Sequence, residues 1–385
     1  MINNKLIIII NKKIFNNSIY KMGGGLMQLV AYGSQDIYLT GNPQITYFKM
    51  VYRRYTNFAM ESIIQPIDGD FNFDRNCSCT IARNGDLIHK IYVEVEYSSI
   101  GQGFQNSAFE LIDEVQLEIG GQLIDRQYGE WMNIWCELTH SESKWKQLQK
   151  IIEGDVNKTK QYIPLQFNFC RDIGVALPLI ALQYHEVKIS FRVTQKNTGS
   201  SAEIKQACVY VDYIYLDSEE RRRFAQNTHE YLIEQTQSNT DLGIEANCMN
   251  RYELNFNHPV KELIWVHNKE DPDSKFVYNE STEAAIIKLN GHDRLDKRQS
   301  DYFRDVQRYQ HHTGSEKAGH PIYVYSFALN PEEHQPSGTC NFSRIDNALL
   351  EIDAKASASG TTNIYAVNYN VLRIMSGMGG LAYSN

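Results

Sequence analysis

No apolar run in this 385-residue chain approaches the ~20 residues a helix needs to cross a bilayer. The run nearest the N-terminus, Leu6 to Ile10, is five residues long. That is shorter than the core of about 7–15 residues that a secretory leader requires. A membrane-spanning or conventionally secreted protein is therefore not expected, and the chain is read as soluble. A basic excess is also missing: 38 Lys and Arg stand against 46 Asp and Glu, a net charge of −8. A chain that grips nucleic acid along its surface normally carries the opposite balance, to displace counterions. Direct nucleic-acid binding is not expected. Cysteine is sparse, seven in all, odd in number and scattered. Only Cys77 and Cys79 lie close together, and a lone C-x-C has no second pair to complete a zinc site. Reduced, mostly buried thiols are the expectation.

What the chain does hold is aromatic side chains, 24 Tyr and 16 Phe, which suit a pleated, half-buried surface. Period-2 alternation recurs along Ile91–Tyr97, Val115–Ile119, Val187–Val193, Tyr252–Phe256, Ile322–Leu329 and Ile364–Ile374. Each predicts a strand. Helix signals are few. Trp131, Ile134, Trp135 and Leu138 follow the i, i+3, i+4, i+7 spacing, which predicts a helix over 129–140. Phe303 and Val306 suggest a shorter helix after 298. Asp217, three residues before Glu220, reads as a capping box opening 217–235, whose later half suits a strand equally well.

The chain also repeats itself. VQLEIGGQLIDRQYGEWM (115–132) matches IIKLNGHDRLDKRQSDYF (286–303), each with a strand, a two-residue turn and an aromatic helix start. The turns, Gly120-Gly121 and Asn290-Gly291, suit tight hairpins that need positive φ. YVDYIYLD (210–217) matches YAVNYNVLR (365–373) in the same order. Two ordered matches indicate a duplicated β domain. The expected division is a low-complexity, disordered extension over 1–21 and an arm over 22–45. A first domain over 46–218, a connector over 219–240 and a second domain over 241–385 follow. Domains this large, many-stranded and interrupted by a helix fit jelly rolls better than immunoglobulin-like sandwiches. The fold class is therefore all-β, two tandem jelly rolls with short helical insertions.

Several stretches carry a resemblance. GGGLMQLVAYGSQDIYLTGNPQITYFKMVYRRYTNF (23–58), PLQFNFCRDIGVALPLIALQYHEVKISF (164–191) and LDSEERRRFAQNTHEYLIEQTQ (216–237) resemble the major capsid proteins of large nucleocytoplasmic DNA viruses. So do YSFALNPEEHQPSGTCNFSRID (325–346) and NIYAVNYNVLRIMSGMGGLAYSN (363–385). The resemblance implies a double jelly roll that trimerises into a pseudo-hexagonal capsomer and tiles an icosahedral shell. It implies neighbouring capsomers and minor capsid proteins as partners, an inner membrane beneath the shell, assembly in the host cytoplasm and residence in the virion. It also places the usual family start at Met22, with Met1 and Met27 as other candidate starts, so a mature N-terminus at or after Met22 is expected. The connection 267–284 is compact where relatives often carry long loops, which leaves a minor capsid paralogue as one alternative. Trp131, Trp135 and Trp145, near one helix, exceed what one sandwich needs, and the trimer is expected to bury them.

The loop NPEEHQPSGTCNFSRID (330–346) gathers Glu332, Glu333, His334, Ser337, Cys340, Arg344 and Asp346, a set an enzyme could use. Yet Ser337 sits in P-S-G, outside the G-x-S-x-G elbow, and Cys340 has no neighbouring base. His311, His312, His320 and His334 show no ligand spacing such as H-E-x-x-H. Gly23–Gly25 and Gly377–Gly380 lack the following Lys-Ser/Thr of a phosphate loop. The segment is read as a connector between strands Ile322–Leu329 and Phe342–Ile352, with Arg344 and Asp346 side by side on the second. No catalytic, cofactor-binding or metal-ligating residue is assigned, and no enzyme activity is expected. The N-x-S/T sites at Asn16, Asn76, Asn157, Asn279 and Asn341 would escape secretory glycosylation without a leader. Two further alternatives are a carbohydrate-binding jelly roll, which wants exposed aromatic rows, and a cupin-type enzyme, which wants a clustered His/Glu set.

Overall fold

The computed structural model describes residues 24–99, 108–153, 159–195, 203–269, 275–314 and 320–384. The expectation for 1–21 lies outside them. The chain divides into two units, Met1–Tyr55 and Thr56–Asn385. The first holds two short helices, Gly24–Val30 and Ile37–Thr40. Asp36 ties the second helix down: its carboxylate accepts from the Gly33 N–H at 2.7 Å, and its carbonyl accepts from the Thr40 hydroxyl at 2.7 Å. Residues 46–57, assigned above to the first roll, contain no strand.

The second unit contains the duplication. Its first half supplies β1 (Phe58–Gln65), β2 (Asn76–Thr80), β3 (Leu87–Ser99), β4 (Ile112–Ile119), β5 (Gln122–Tyr128), β6 (Lys160–Pro164), β7 (Val187–Val193) and β8 (Glu203–Leu216). Its second half supplies β9 (His229–Gly243), β10 (Met249–Glu253), β11 (Pro259–Asn268), β12 (Thr282–Leu289), β13 (His292–Asp293), β14 (Tyr323–Ser326), β15 (Ala348–Ala354) and β16 (Thr361–Met375). The first half folds into sheets ordered β1-β8-β3-β6 and β2-β7-β4-β5. The second folds into β9-β16-β11-β14 and β10-β15-β12-β13. Each label plus eight gives its counterpart. All the strand pairs are antiparallel, and eight strands in two facing four-strand paths make a jelly roll.

The hairpins that anchor the repeat form as their turn residues require. Gly120 and Gly121 take φ of 59° and 81°, and Asn290 and Gly291 take 51° and 79°. Two consecutive positive φ values give the turn that matches strand twist. Each roll closes over its own core. Ile91, Val93, Val115, Ile189 and Val209 fill the first, and Leu263, Trp265, Ile287, Leu350 and Ile364 fill the second. The alternation read from Val187–Val193 is the alternation of burial along β7.

Four expectations need correction. The connector 219–240 is a helix, α2 (Ser218–Gln226), followed by β9, the edge strand of the second roll's first sheet. That roll therefore opens at His229. Asp217 does cap α2, but its carboxylate takes the Ser218 N–H at 2.5 Å, not the Glu220 N–H of a capping box. Ile322–Leu329 is strand only over β14, because the Ser326 hydroxyl turns back onto Ala328. Phe342–Ile352 opens as a single 3₁₀ turn, Phe342–Arg344, whose Ser343 N–H donates to the Asn341 side-chain carbonyl. Arg344 and Asp346 thus lie exposed ahead of β15 rather than side by side on a strand.

The largest correction concerns the tryptophans. Helix α1 (Gly129–Thr139) forms where the 3.6-residue period placed it. Met132 and Cys136 face the first roll's core. The opposite face, Trp131, Ile134, Trp135 and Leu138, packs against Ile264, Val266, Val324, Tyr365 and Val367 on the second roll. Trp145 packs, partly buried, on the first core. The apolar excess thus joins the two rolls of one chain, each such side chain contributing about 1.5–3 kcal/mol of burial. It is not left over for a trimer.

Candidate functional site

The loop 330–346 closes on itself before it reaches anything else. Ser337 is spent on the loop neck: its hydroxyl accepts from the Asn330 N–H at 2.9 Å and donates to the Asn330 carbonyl at 3.3 Å. Cys340 pairs with Val260 at the edge of β11, and burial pushes its thiol above the ordinary range. A thiol held protonated is a poor nucleophile. Two of the loop's other polar groups, Glu332 and His334, reach a polar seam between the rolls, which sequence reasoning did not foresee.

Glu234 on β9 and Lys261 on β11 are the centre of that seam. Lys261 is fully buried, and its ammonium lies 2.8 Å from the Glu234 carboxylate and donates to the Pro331 carbonyl at 2.6 Å. Arg171, from the first roll, donates to the same carboxylate at 2.9 Å while its guanidinium lies 4.4 Å from the Trp135 ring. His334 approaches Glu234 at 3.8 Å. Beside this group, His312 bridges two carboxylates, Glu262 through Nε2 and Glu332 through Nδ1, each at 3.1 Å. Glu332 also accepts from the Thr313 N–H and hydroxyl, both at 2.8 Å. Further along, His320 lies 3.3 Å from Glu137 of α1, with Arg308 at 3.7 Å. Glu130, at the start of α1, accepts from Asn268, Asn363 and Tyr365 of the second roll. Burial raises its pKa, against the lowering effect of those three donors.

The chemistry of this arrangement is cohesion. Glu234, Glu262 and Glu332 are offset by Arg171, Lys261 and His312, so buried charges meet opposite charges, as low dielectric demands. Among the described residues, no three His, Cys, Asp or Glu side chains are gathered to hold a metal ion. The sequence did hold one clue to a covered face. LIWV in β11 is apolar at every position, and β11 is buried almost throughout, as a strand covered on both sides must be.

His312 makes the seam pH-sensitive. Burial alone would lower its pKa, but Glu262 and Glu332 outweigh that and raise it to about 9. The folded chain holds this proton more tightly than the unfolded one, whose histidine titrates near 6.5. The contribution, roughly 3 kcal/mol by linkage, is complete below pH 6.5 and lost as pH rises through about 9. His267 does the reverse. Buried between the Thr282 and Thr362 hydroxyls, it is depressed to about 3, so stability falls as pH drops below 6.5. Urea titrations should therefore give greatest stability close to pH 6.5. His312→Gln should flatten the alkaline limb, and an unchanged limb would remove His312 from this role.

Comparison with known proteins agrees with this geometry. A family model described as large eukaryotic DNA virus major capsid protein matches residues 220–380, and one described as major capsid protein N-terminus matches 46–217. The major capsid protein of Pyramimonas orientalis virus is 50% identical over 409 residues, covering 94% of this chain and all of the relative. That of Paramecium bursaria Chlorella virus 1 is 44% identical over 439 residues, with the same coverage. Both alignments are longer than the chain, so these relatives carry inserted segments. The quasi-atomic structure of the PBCV-1 virus capsid superposes with a TM-score of 0.79 at 40% identity, covering 88% of this chain and all of that one. With two rolls of identical strand order, and relatives at this identity over nearly its whole length, the chain belongs to the family of major capsid proteins of large eukaryotic DNA viruses.

Proposed function

We infer that the chain is a shell subunit of a large icosahedral DNA virus, that it acts as a homotrimer, and that it is not an enzyme. The observation that carries this reading is the duplicated strand order. Three chains with two similar rolls each supply six similar units, which suits sixfold tiling while leaving two distinct interfaces. The seam supports the non-enzymatic part, since Glu234, Glu262 and Glu332 at its centre are paired with Arg171, Lys261 and His312. An arm running up to Phe58, a first roll over 58–218 and a second from 229 onward are the working division. Neighbouring capsomers, minor capsid proteins and an inner membrane are the partners expected of such a shell, assembled in the host cytoplasm, with no direct grip on nucleic acid. Electron micrographs of the purified chain should contain flat, hexagonally outlined particles. Fields of single small globules, across salt and protein concentration, would argue against the shell reading.

A further inference from the structure

Beyond Glu130 the seam opens into a cleft of about 840 Å³ between the rolls. That size falls in the range of about 300–1,000 Å³ usual for ligand sites. Its floor is fixed. Glu130 accepts one hydrogen bond each from Asn268, Asn363 and Tyr365. The Lys275 ammonium of the second roll, 2.8 Å from Asp113 of the first, ties one wall to the other. One strand departs from its regular pairing here. The register of β9 against β16 skips from Asn239 to Leu242, which leaves Thr240 and Asp241 out of the ladder, and Asp241 takes a φ of 60°. Both residues line the cleft. The counterpart strand β1 pairs with β8 residue for residue from Phe58 to Gln65, so the duplication does not account for the bulge. A bulge re-aims side chains, and backbone held outside the common regions clusters at binding sites.

Most of the charges lining the cleft are already spent. Lys275 holds Asp113, Glu114 holds Arg192 at 3.0 Å, Glu130 has its three donors, and Glu110 is engaged as well. One carboxylate, Asp241, and one ammonium, Lys269, are left with no side-chain hydrogen bond to another described residue. Among the described residues, the hydroxyls of Tyr128, Thr240 and Thr361 make none either. The Asn268 amide oxygen is buried and has no donor. A buried acceptor left this way costs stability until a donor is supplied. Tyr128 and Phe276 add half-buried rings to the lining, the first 6.3 Å from the ring of Tyr365.

We propose that the cleft between the rolls binds a neutral saccharide. A hydroxyl both donates and accepts, which suits unspent groups of both kinds. The Asn268 oxygen and the Asp241 carboxylate accept from the sugar, Lys269 and the two threonines donate to it, and its apolar face lies on the Tyr128 and Phe276 rings. With one carboxylate and one ammonium remaining, no net charge selects an ion instead. The floor around Glu130 is held in place before any ligand arrives, so little ordering is needed on binding. The site is built within one chain, needs no second copy and does not rest on the trimer reading.

An array of neutral oligosaccharides of glucose, galactose, mannose, xylose, fucose and rhamnose, probed with the labelled full chain, tests this. At least one should bind saturably, and saturation-transfer NMR with that sugar should show contact through its ring protons. Asp241→Asn, at an exposed position whose left-handed backbone asparagine also tolerates, should weaken binding by about tenfold, as loss of a hydrogen bond to a charged group does. Thr361→Trp, at a half-buried strand position, should abolish binding by filling the cleft. Both variants should melt with the wild type. Binding to none of the neutral sugars, or binding that both variants retain, would overturn the proposal. Binding confined to sulfated or sialylated sugars on the same array would overturn it too, by placing an anion beside Lys269.

Discussion

Trp131→Ala should lower the unfolding free energy by about 3–5 kcal/mol, the range for truncating a buried large aromatic. Trp131 is fully buried, with the Trp135 and Tyr365 rings each 5.5 Å from its own. The alanine leaves a cavity bounded by two rolls that are each tied down by their own cores, so neither can collapse far to fill it. The loss falls on the contact between rolls rather than on either sandwich. Urea unfolding followed by intrinsic fluorescence and by far-ultraviolet circular dichroism should therefore broaden or split, as the rolls begin to unfold separately. Trp131→Phe should cost much less. It keeps most of the ring and removes an indole N–H that has no hydrogen-bond partner in its buried site. A Trp131→Ala loss below about 1 kcal/mol, with one sharp transition, would mean that the helix face does not join the rolls.

Lys261→Met should be comparably damaging, about 3–5 kcal/mol, because it strands the Glu234 carboxylate in a buried site with Arg171 as its remaining close cation. The methionine also leaves the Pro331 carbonyl without its donor, which loosens the root of the 330–346 loop. The double variant Lys261→Met/Glu234→Gln should be distinctly less destabilised than the two single losses summed, since it removes the unpaired charge along with its partner. Strict additivity in that cycle would show that the two groups do not interact across the seam.

How far such contacts could be read from sequence depended on whether their cause was local. The hairpins at Gly120-Gly121 and Asn290-Gly291 were legible because positive φ is a property of the turn residues themselves. The helix 129–139 was legible as a helix, but its outer face was assigned to a neighbouring chain instead of to the second roll. Periodicity reports that a face is buried, not what buries it. The strand at His229–Gly243 was legible only in part, as one of two readings of the later half of 217–235, for a related reason. Its Glu234, Gln235 and Thr236 are buried polar residues held across the seam. Gln235 donates to the Ile124 carbonyl and the Thr236 N–H donates to Asp125. A strand whose covered face is polar shows no alternation of hydropathy. The seam therefore looked like scattered surface charge. In the 330–346 loop, two of the residues that suggested an enzyme, Glu332 and His334, proved to line that seam.

The mass of the soluble protein tests the central claim most directly. Light scattering on the full chain at micromolar concentration should give three times the 44.4 kDa chain mass. Moderate salt should change this little, because apolar and aromatic contact is screened far less than ion pairing between exposed charges. A monodisperse species at 44.4 kDa, with no larger assembly at any salt or protein concentration, would contradict it.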